Sequence, residues 1–170
     1  MNLQKDLLEF IGNHLQASEE TVSTAESVTA GFLQFSFSQI KDASQFFKGG
    51  ITAYTIDEKV KFLQIDEEEG KQSNCVSQNI SDAMALNVAK LFGTDWGIAV
   101  TGYATPVEES EYKLFAYFSF SYKNQIILSQ KMDLNSRKDS ISAQLCYSEF
   151  IIECLKVEMD KQISLREEIK

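Results

Sequence analysis

The chain is sparing with the residues that most often carry catalysis or cross-links. In 170 residues it has one histidine (His14), one proline (Pro106) and three cysteines (Cys75, Cys146, Cys154). His14 falls on the apolar side of a helical pattern formed by Leu3, Leu7, Phe10, Ile11 and Leu15, so it reads as a packing residue and a Ser-His-Asp triad is not expected. The cysteines are odd in number, widely spaced and without a C-x-x-C pair. That argues against a zinc site and for a reducing compartment. No apolar run is long enough to span a bilayer. Met1 to Glu9, interrupted by Lys5, Asp6 and Glu9, does not read as a leader. The expectation is a cytoplasmic protein with no membrane partner. Positive charge is also short: the net charge is −9, and Arg137 and Arg166 are the only arginines. Such a surface repels nucleic acid, and a small anionic substrate would need a locally positive pocket.

What is present fits an ordinary globular domain. Apolar residues make up 44% and charged residues 24%, enough to bury a core without staples. We assign residues 1–160 to one domain and 161–170 to a charged tail that frays beyond Asp160. The amphipathic opening helix is followed by a strand at Thr21 to Thr24 and a helix beginning near Thr29, with a break at Lys41 to Ser44. Gly49 to Ile56 reads as a strand, Asp57 to Leu63 as a short helix capped by Asp57, and Asp66 to Ser73 as a mobile acidic loop. Ser77 caps a helix carried by Ile80, Met84, Val88 and Leu91 and closed by Gly93. Trp96 to Thr101 is an unalternating apolar run, as in a strand buried on both faces. Leu114 to Phe120 and Gln125 to Met132 form an antiparallel pair turning at Tyr122-Lys123-Asn124, and Ser136 begins a final helix. The pattern predicts an α/β layered sandwich on a mixed sheet.

The chemistry concentrates at Ala25-Glu26-Ser27-Val28-Thr29-Ala30-Gly31. A strand feeding a helix there puts Ser27 at a turn beside the free N–H groups of a helix start, which bind anions and oxyanions. Capping alone would also explain a serine at this point. With histidine unavailable, the candidate base is Lys59, five residues after Tyr54. A lysine acts as a base only when burial or a neighbouring cation lowers its pKa, and a solvated surface lysine is the alternative. A hydroxyl chain from Lys59 through Tyr54 to Ser27 would activate the serine. Thr101-Gly102 ends the buried strand, where α/β sheets form ligand crevices, although an ordinary loop is the simpler explanation. Glu108, Glu109 and Glu111 follow and would repel a phosphate if they pointed inward. Arg137, at the predicted start of the last helix, suits bidentate recognition of a phosphate or carboxylate; a surface salt bridge is the alternative.

Taken together, these motifs resemble the C-terminal domain of the competence/damage-inducible protein CinA, a domain that also occurs alone as nicotinamide-nucleotide amidase. The family pattern runs A-E-S-C-T-G-G, G-G-x-x-A-Y-x-x-x-x-K, V-S, T-G-x-A-G-P and a late G-x-R. It is matched in order by Ala25 to Gly31, Gly49 to Lys59, Val76-Ser77, Thr101 to Pro106 and Asn135-Ser136-Arg137. The resemblance covers about residues 1 to 158 and implies a three-layer α/β/α sandwich. It implies hydrolysis of nicotinamide mononucleotide to the acid and ammonia, with a pyridine nucleotide as the small-molecule partner, no cofactor, no metal and self-association into a homo-oligomer. By position, Ser27 is the implied nucleophile, Lys59 the base and Tyr54 its partner. Thr29, Ala30 and Gly31 are the implied oxyanion donors, Thr101 and Gly102 line the nucleotide pocket, and Arg137 meets the phosphate. Three departures stand out. Ala30 replaces a glycine, Thr105 replaces the glycine before Pro106, and Val107-Glu108-Glu109-Ser110 replaces a glycine run. They suggest an altered substrate, weak activity, or a nucleotide-binding or regulatory module that kept the fold. A hydrolase of an unrelated small amide is the remaining alternative.

Overall fold

The computed structural model describes residues 5–168; Leu3, of the predicted first helix, and the last two residues of the charged tail lie outside them. Helix α1 (Lys5–Ala17) precedes β1 (Val22–Glu26), α2 (Phe32–Ser38) and β2 (Phe47–Thr52). Helices α3 (Ile56–Leu63), α4 (Glu67–Gln72) and α5 (Gln78–Phe92) then lead to β3 (Trp96–Gly102), β4 (Leu114–Tyr122), β5 (Gln125–Leu134) and α6 (Ser140–Glu168). The strands form one mixed sheet in the order β2-β1-β3-β4-β5, with β2, β1 and β3 parallel and β4 and β5 antiparallel.

Two apolar layers make this an α/β/α sandwich. On one face Ile98, Val100, Phe118 and Phe120 pack with Ile11, Leu15, Phe37, Tyr147, Ile151 and Leu155 from α1, α2 and α6. On the other, the smaller Ala25 and Ala99 meet Ile80, Met84, Ala85 and Val88 of α5. The alternating Phe118-Ser119-Phe120-Ser121 of β4 sends phenylalanines to the first layer and serines to α5. There Ser121 Oγ donates to the Ala85 carbonyl (2.8 Å) and the Ser81 and Ser119 hydroxyls lie 2.7 Å apart. Gly97 lets α5 come this close, since a Cβ there would collide with the Ala85 carbonyl oxygen.

Several element boundaries differ from the sequence expectation, each for a local reason. The second helix starts at Phe32, not near Thr29, because Ala30 (φ 51°) and Gly31 (φ 102°) are left-handed. The second strand is Phe47–Thr52, and Thr55 rather than Asp57 caps α3, accepting from the Glu58 amide. The Asp66 to Ser73 segment is helical at its centre. The Asp66 carboxylate accepts from the Glu69 amide at 2.7 Å, and Glu67 pairs with Lys71 one turn on. The last helix begins at Ser140 rather than Ser136 because Asp139 caps it, accepting from the Ser142 amide (3.0 Å) and hydroxyl (2.6 Å). Nor does it end at Asp160; Lys156–Asp160 and Lys161–Glu158 pairs support it there, and it continues to Glu168.

Candidate active site

The chain order places β2 on one side of β1 and β3 on the other, so a crevice opens at the carboxyl ends of β1 and β3. Ser27 is the residue after β1, and its amide donates to the Val100 carbonyl at 3.1 Å, extending the β1–β3 ladder to the serine itself. A cleft of about 680 Å³ lies over it, reached by Tyr54, Lys59, Cys75, Thr101, Gly102, Tyr103 and Gln144 among others. Thr101 is buried and donates from Oγ1 to the Cys75 carbonyl (2.7 Å), pinning the loop before α5 to β3.

Lys59 is the decisive side chain. It is 2% exposed, lies on the inner side of α3, and carries its amine to 2.9 Å from Ser27 Oγ. It also donates to the Tyr54 carbonyl oxygen at 3.2 Å. Burial pushes the Lys59 amine below the ordinary lysine range, opposed only in part by the neighbouring Cys75. As an ammonium it donates to the serine; as a free amine it accepts the serine's proton. His14 is buried in α1, 3.8 Å from Glu20, and takes no part.

Two expectations need correction. The relay through the Tyr54 phenol is absent: lysine and serine touch directly, Tyr54 meets the amine through its backbone carbonyl, and the residue is 68% exposed at the cleft edge. Nor are the α2 amides free for an oxyanion, because the buried Glu26 carboxylate takes them. Its Oε2 accepts from Thr29 Oγ1 (2.6 Å), the Gly31 amide (3.0 Å) and the Leu33 amide (3.1 Å), and Oε1 accepts from the Gln34 amide (2.8 Å). The Ala30 amide donates to the Ser27 carbonyl at 3.2 Å. Thr29, Ala30 and Gly31 therefore shape the turn rather than line the cleft. Val28 lines it, and among the described residues no hydrogen bond engages its N–H. The Val28 carbonyl accepts from Gln144 Nε2 at 2.9 Å, which ties this turn to α6.

Arg137 lies in the exposed loop before α6, its amide bonded to Asn135 Oδ1 (3.0 Å), and does not line the cleft. Glu109 does line it, whereas Glu108 does not. Glu26 and Gln144 went unassigned in the sequence. Glu26 carried a signal, an acidic residue just ahead of a helix start; an isolated glutamine within a helical pattern carries none. Among the described residues no group of three or more His, Cys, Asp or Glu could hold a metal ion, and no helix is long and apolar enough to cross a membrane.

The CinA C-terminal domain family matches residues 4–154. A CinA-like protein of Prochlorococcus marinus is 36% identical over 132 residues, covering 76% of this chain and 31% of the relative. One from Synechocystis is 41% identical over 103 residues, 61% of this chain and 25% of that protein. The chain thus spans about a third or less of the curated relatives it matches. Among solved structures, a competence-damaged protein (CinA) superfamily protein from Klebsiella pneumoniae superposes with a TM-score of 0.85 at 23% identity, covering 95% of this chain and 99% of its own. A competence/damage-inducible protein from Agrobacterium tumefaciens gives 0.85 at 23%, covering 94% and 97%. At that identity the likeness speaks for the fold.

Proposed function

The chain belongs to the CinA C-terminal domain family, and from that premise we propose that it is an amidohydrolase releasing ammonia from the carboxamide of nicotinamide mononucleotide or a related pyridine nucleotide amide. The observation that carries the reading is the buried Lys59 amine 2.9 Å from Ser27 Oγ on the floor of the cleft. Ser27 Oγ attacks the carboxamide carbon while its proton passes to the neutral Lys59 amine. The Val28 N–H faces the developing oxyanion. The tetrahedral adduct collapses as Lys59 returns the proton to the departing nitrogen, which leaves as ammonia and an acyl-serine behind. Water then adds to the ester with Lys59 again taking a proton, and the carboxylic acid leaves as Ser27 is restored. Serine and water supply the two nucleophiles, and the Lys59 amine carries the proton in both halves.

The test is ammonia release by purified protein. Ser27→Ala is expected to lower turnover about 10³-fold or more, as when a nucleophile working with its base is removed. Equal turnover in Ser27→Ala overturns the assignment. A second reading, a nucleotide-binding module without turnover, is favoured by one feature: Glu109 lines the cleft in a segment where the family carries glycines. It predicts thermal stabilisation by ligand with no ammonia.

A further inference from the structure

The cleft has the wrong charge for a phosphate. Among the described residues that line it, only Lys59 and Glu109 are ionisable as cation or carboxylate, and Lys59 is committed to Ser27 at the floor. Arg137 stands outside. The start of α6, whose Ser140 lines the cleft, is already capped by the Asp139 carboxylate, bonded to the Ser142 amide and hydroxyl. A phosphate in the cleft would meet the Glu109 carboxylate, with Lys59 engaged at Ser27 and no other cation lining it among the described residues, within a protein of net charge −9. The same wall suits a cation. Tyr54 and Tyr103 both line the cleft, and Tyr103 is held by Asn74 donating to its hydroxyl at 3.1 Å.

Resting on the hydrolytic step above but replacing its nucleotide with the nucleoside, we propose that the preferred substrate is an N-ribosylated pyridinium amide without a 5′-phosphate, selected by Glu109. The pyridinium carries one positive charge, and a phosphate monoester adds roughly −1.5 to −2 at pH 7, so the phosphorylated and unphosphorylated amides differ in sign. Glu109 attracts the net cation and repels the net anion, acting on binding rather than on the bond-breaking step.

The experiment compares nicotinamide riboside with nicotinamide mononucleotide in ammonia release and in thermal stabilisation. The riboside should have the higher kcat/KM by about tenfold at low salt, narrowing as ionic strength screens the difference. Glu109 is exposed, so Glu109→Gln should fold normally. It should raise KM for the riboside with little change in kcat, and bring the two substrates together. Equal or better use of the mononucleotide by the wild type overturns the proposal, as does a substrate ratio that Glu109→Gln leaves unmoved. If neither compound releases ammonia, the hydrolytic reading fails and selectivity is judged by binding alone. Stabilisation by the riboside over the mononucleotide then upholds the cleft's preference; equal, reversed or absent stabilisation overturns it.

Discussion

Removing the Glu26 carboxylate should loosen the turn that holds Ser27, and the size of the effect follows from its contacts. In Glu26→Ala, the buried Leu33 amide, the part-buried Gly31 and Gln34 amides and the buried Thr29 hydroxyl lose their acceptor together. A buried donor left unpaired costs about 1–3 kcal/mol, and water entering the vacated space recovers part of that. A net loss of about 4 kcal/mol is expected, a large fraction of the ~5–15 kcal/mol that holds a domain together. At ~2–4 °C per kcal/mol for a chain of this size, Tm falls by about 8–16 °C. Glu26→Gln separates charge from shape. Its oxygen can replace Oε2 for three donors, but its NH2 then confronts the Gln34 amide, for a loss of about 2 kcal/mol. Urea and thermal unfolding followed by circular dichroism read both variants. A Glu26→Ala protein within about 1 kcal/mol of wild type would refute the reasoning, because it would mean that the α2 amides find other acceptors.

Four further outcomes follow. Ammonia release should rise with pH through the depressed pKa of Lys59 and level off above it, since only the free amine accepts the serine proton; a pH-independent rate contradicts Lys59 as base. The same shift links to stability. The unfolded chain holds the lysine proton up to its ordinary value of 10.5 while the folded chain releases it earlier, so the burial penalty is full below the folded pKa and disappears as pH rises to 10.5. The stability of Lys59→Met relative to wild type should therefore decline across that window in urea melts at several pH values, and a constant difference would sink the linkage. Relieving the left-handed alanine with Ala30→Gly should raise stability by about 0.5–1 kcal/mol, read as a Tm increase of ~1–4 °C. By contrast, Gly97→Ala drives a methyl into the Ala85 carbonyl and should lose about 2–3 kcal/mol; an unchanged Tm would show that α5 shifts freely.

Elements with strong local punctuation were legible in the sequence. Helix α5 sits between Ser77, whose hydroxyl accepts from the Ile80 amide at 3.2 Å, and the left-handed Gly93. The β4–β5 hairpin turns at Lys123 and Asn124, both with positive φ, as a two-residue loop requires. The run from Trp96 was a buried strand because both faces of β3 are covered. Helix α4 was missed because acidity was taken for mobility, although Glu67, Glu68 and Glu69 occupy a first turn, where the helix dipole favours negative charge. At the site, the serine and the lysine were readable from the single histidine's commitment to packing and from motif order. The phenol's place was not. Spacing along the chain puts Tyr54 near Lys59 but does not say that the backbone carbonyl, rather than the ring, faces the amine.

The molecule concentrates its unfavourable features at this cleft. A fully buried carboxylate, an almost fully buried amine and an alanine held at φ 51° lie within one turn and the helix that faces it. Each is destabilising by itself: burial disfavours both charges, and the left-handed conformation disfavours alanine. Stability alone would favour apolar side chains and a glycine at such positions. They are coupled instead into one geometry. The left-handed Ala30 and Gly31 bend the chain so that the α2 amides converge on Glu26. That turn fixes Ser27 at the end of β1, and the fixed serine receives the Lys59 amine at 2.9 Å. Strain over-determined by its surroundings in this way is the mark of a preorganised site. For the proposed reaction the geometry is apt: a desolvated amine held against a rigid serine has the lowered basicity that an exposed amine lacks, and the packing around α3 supplies it.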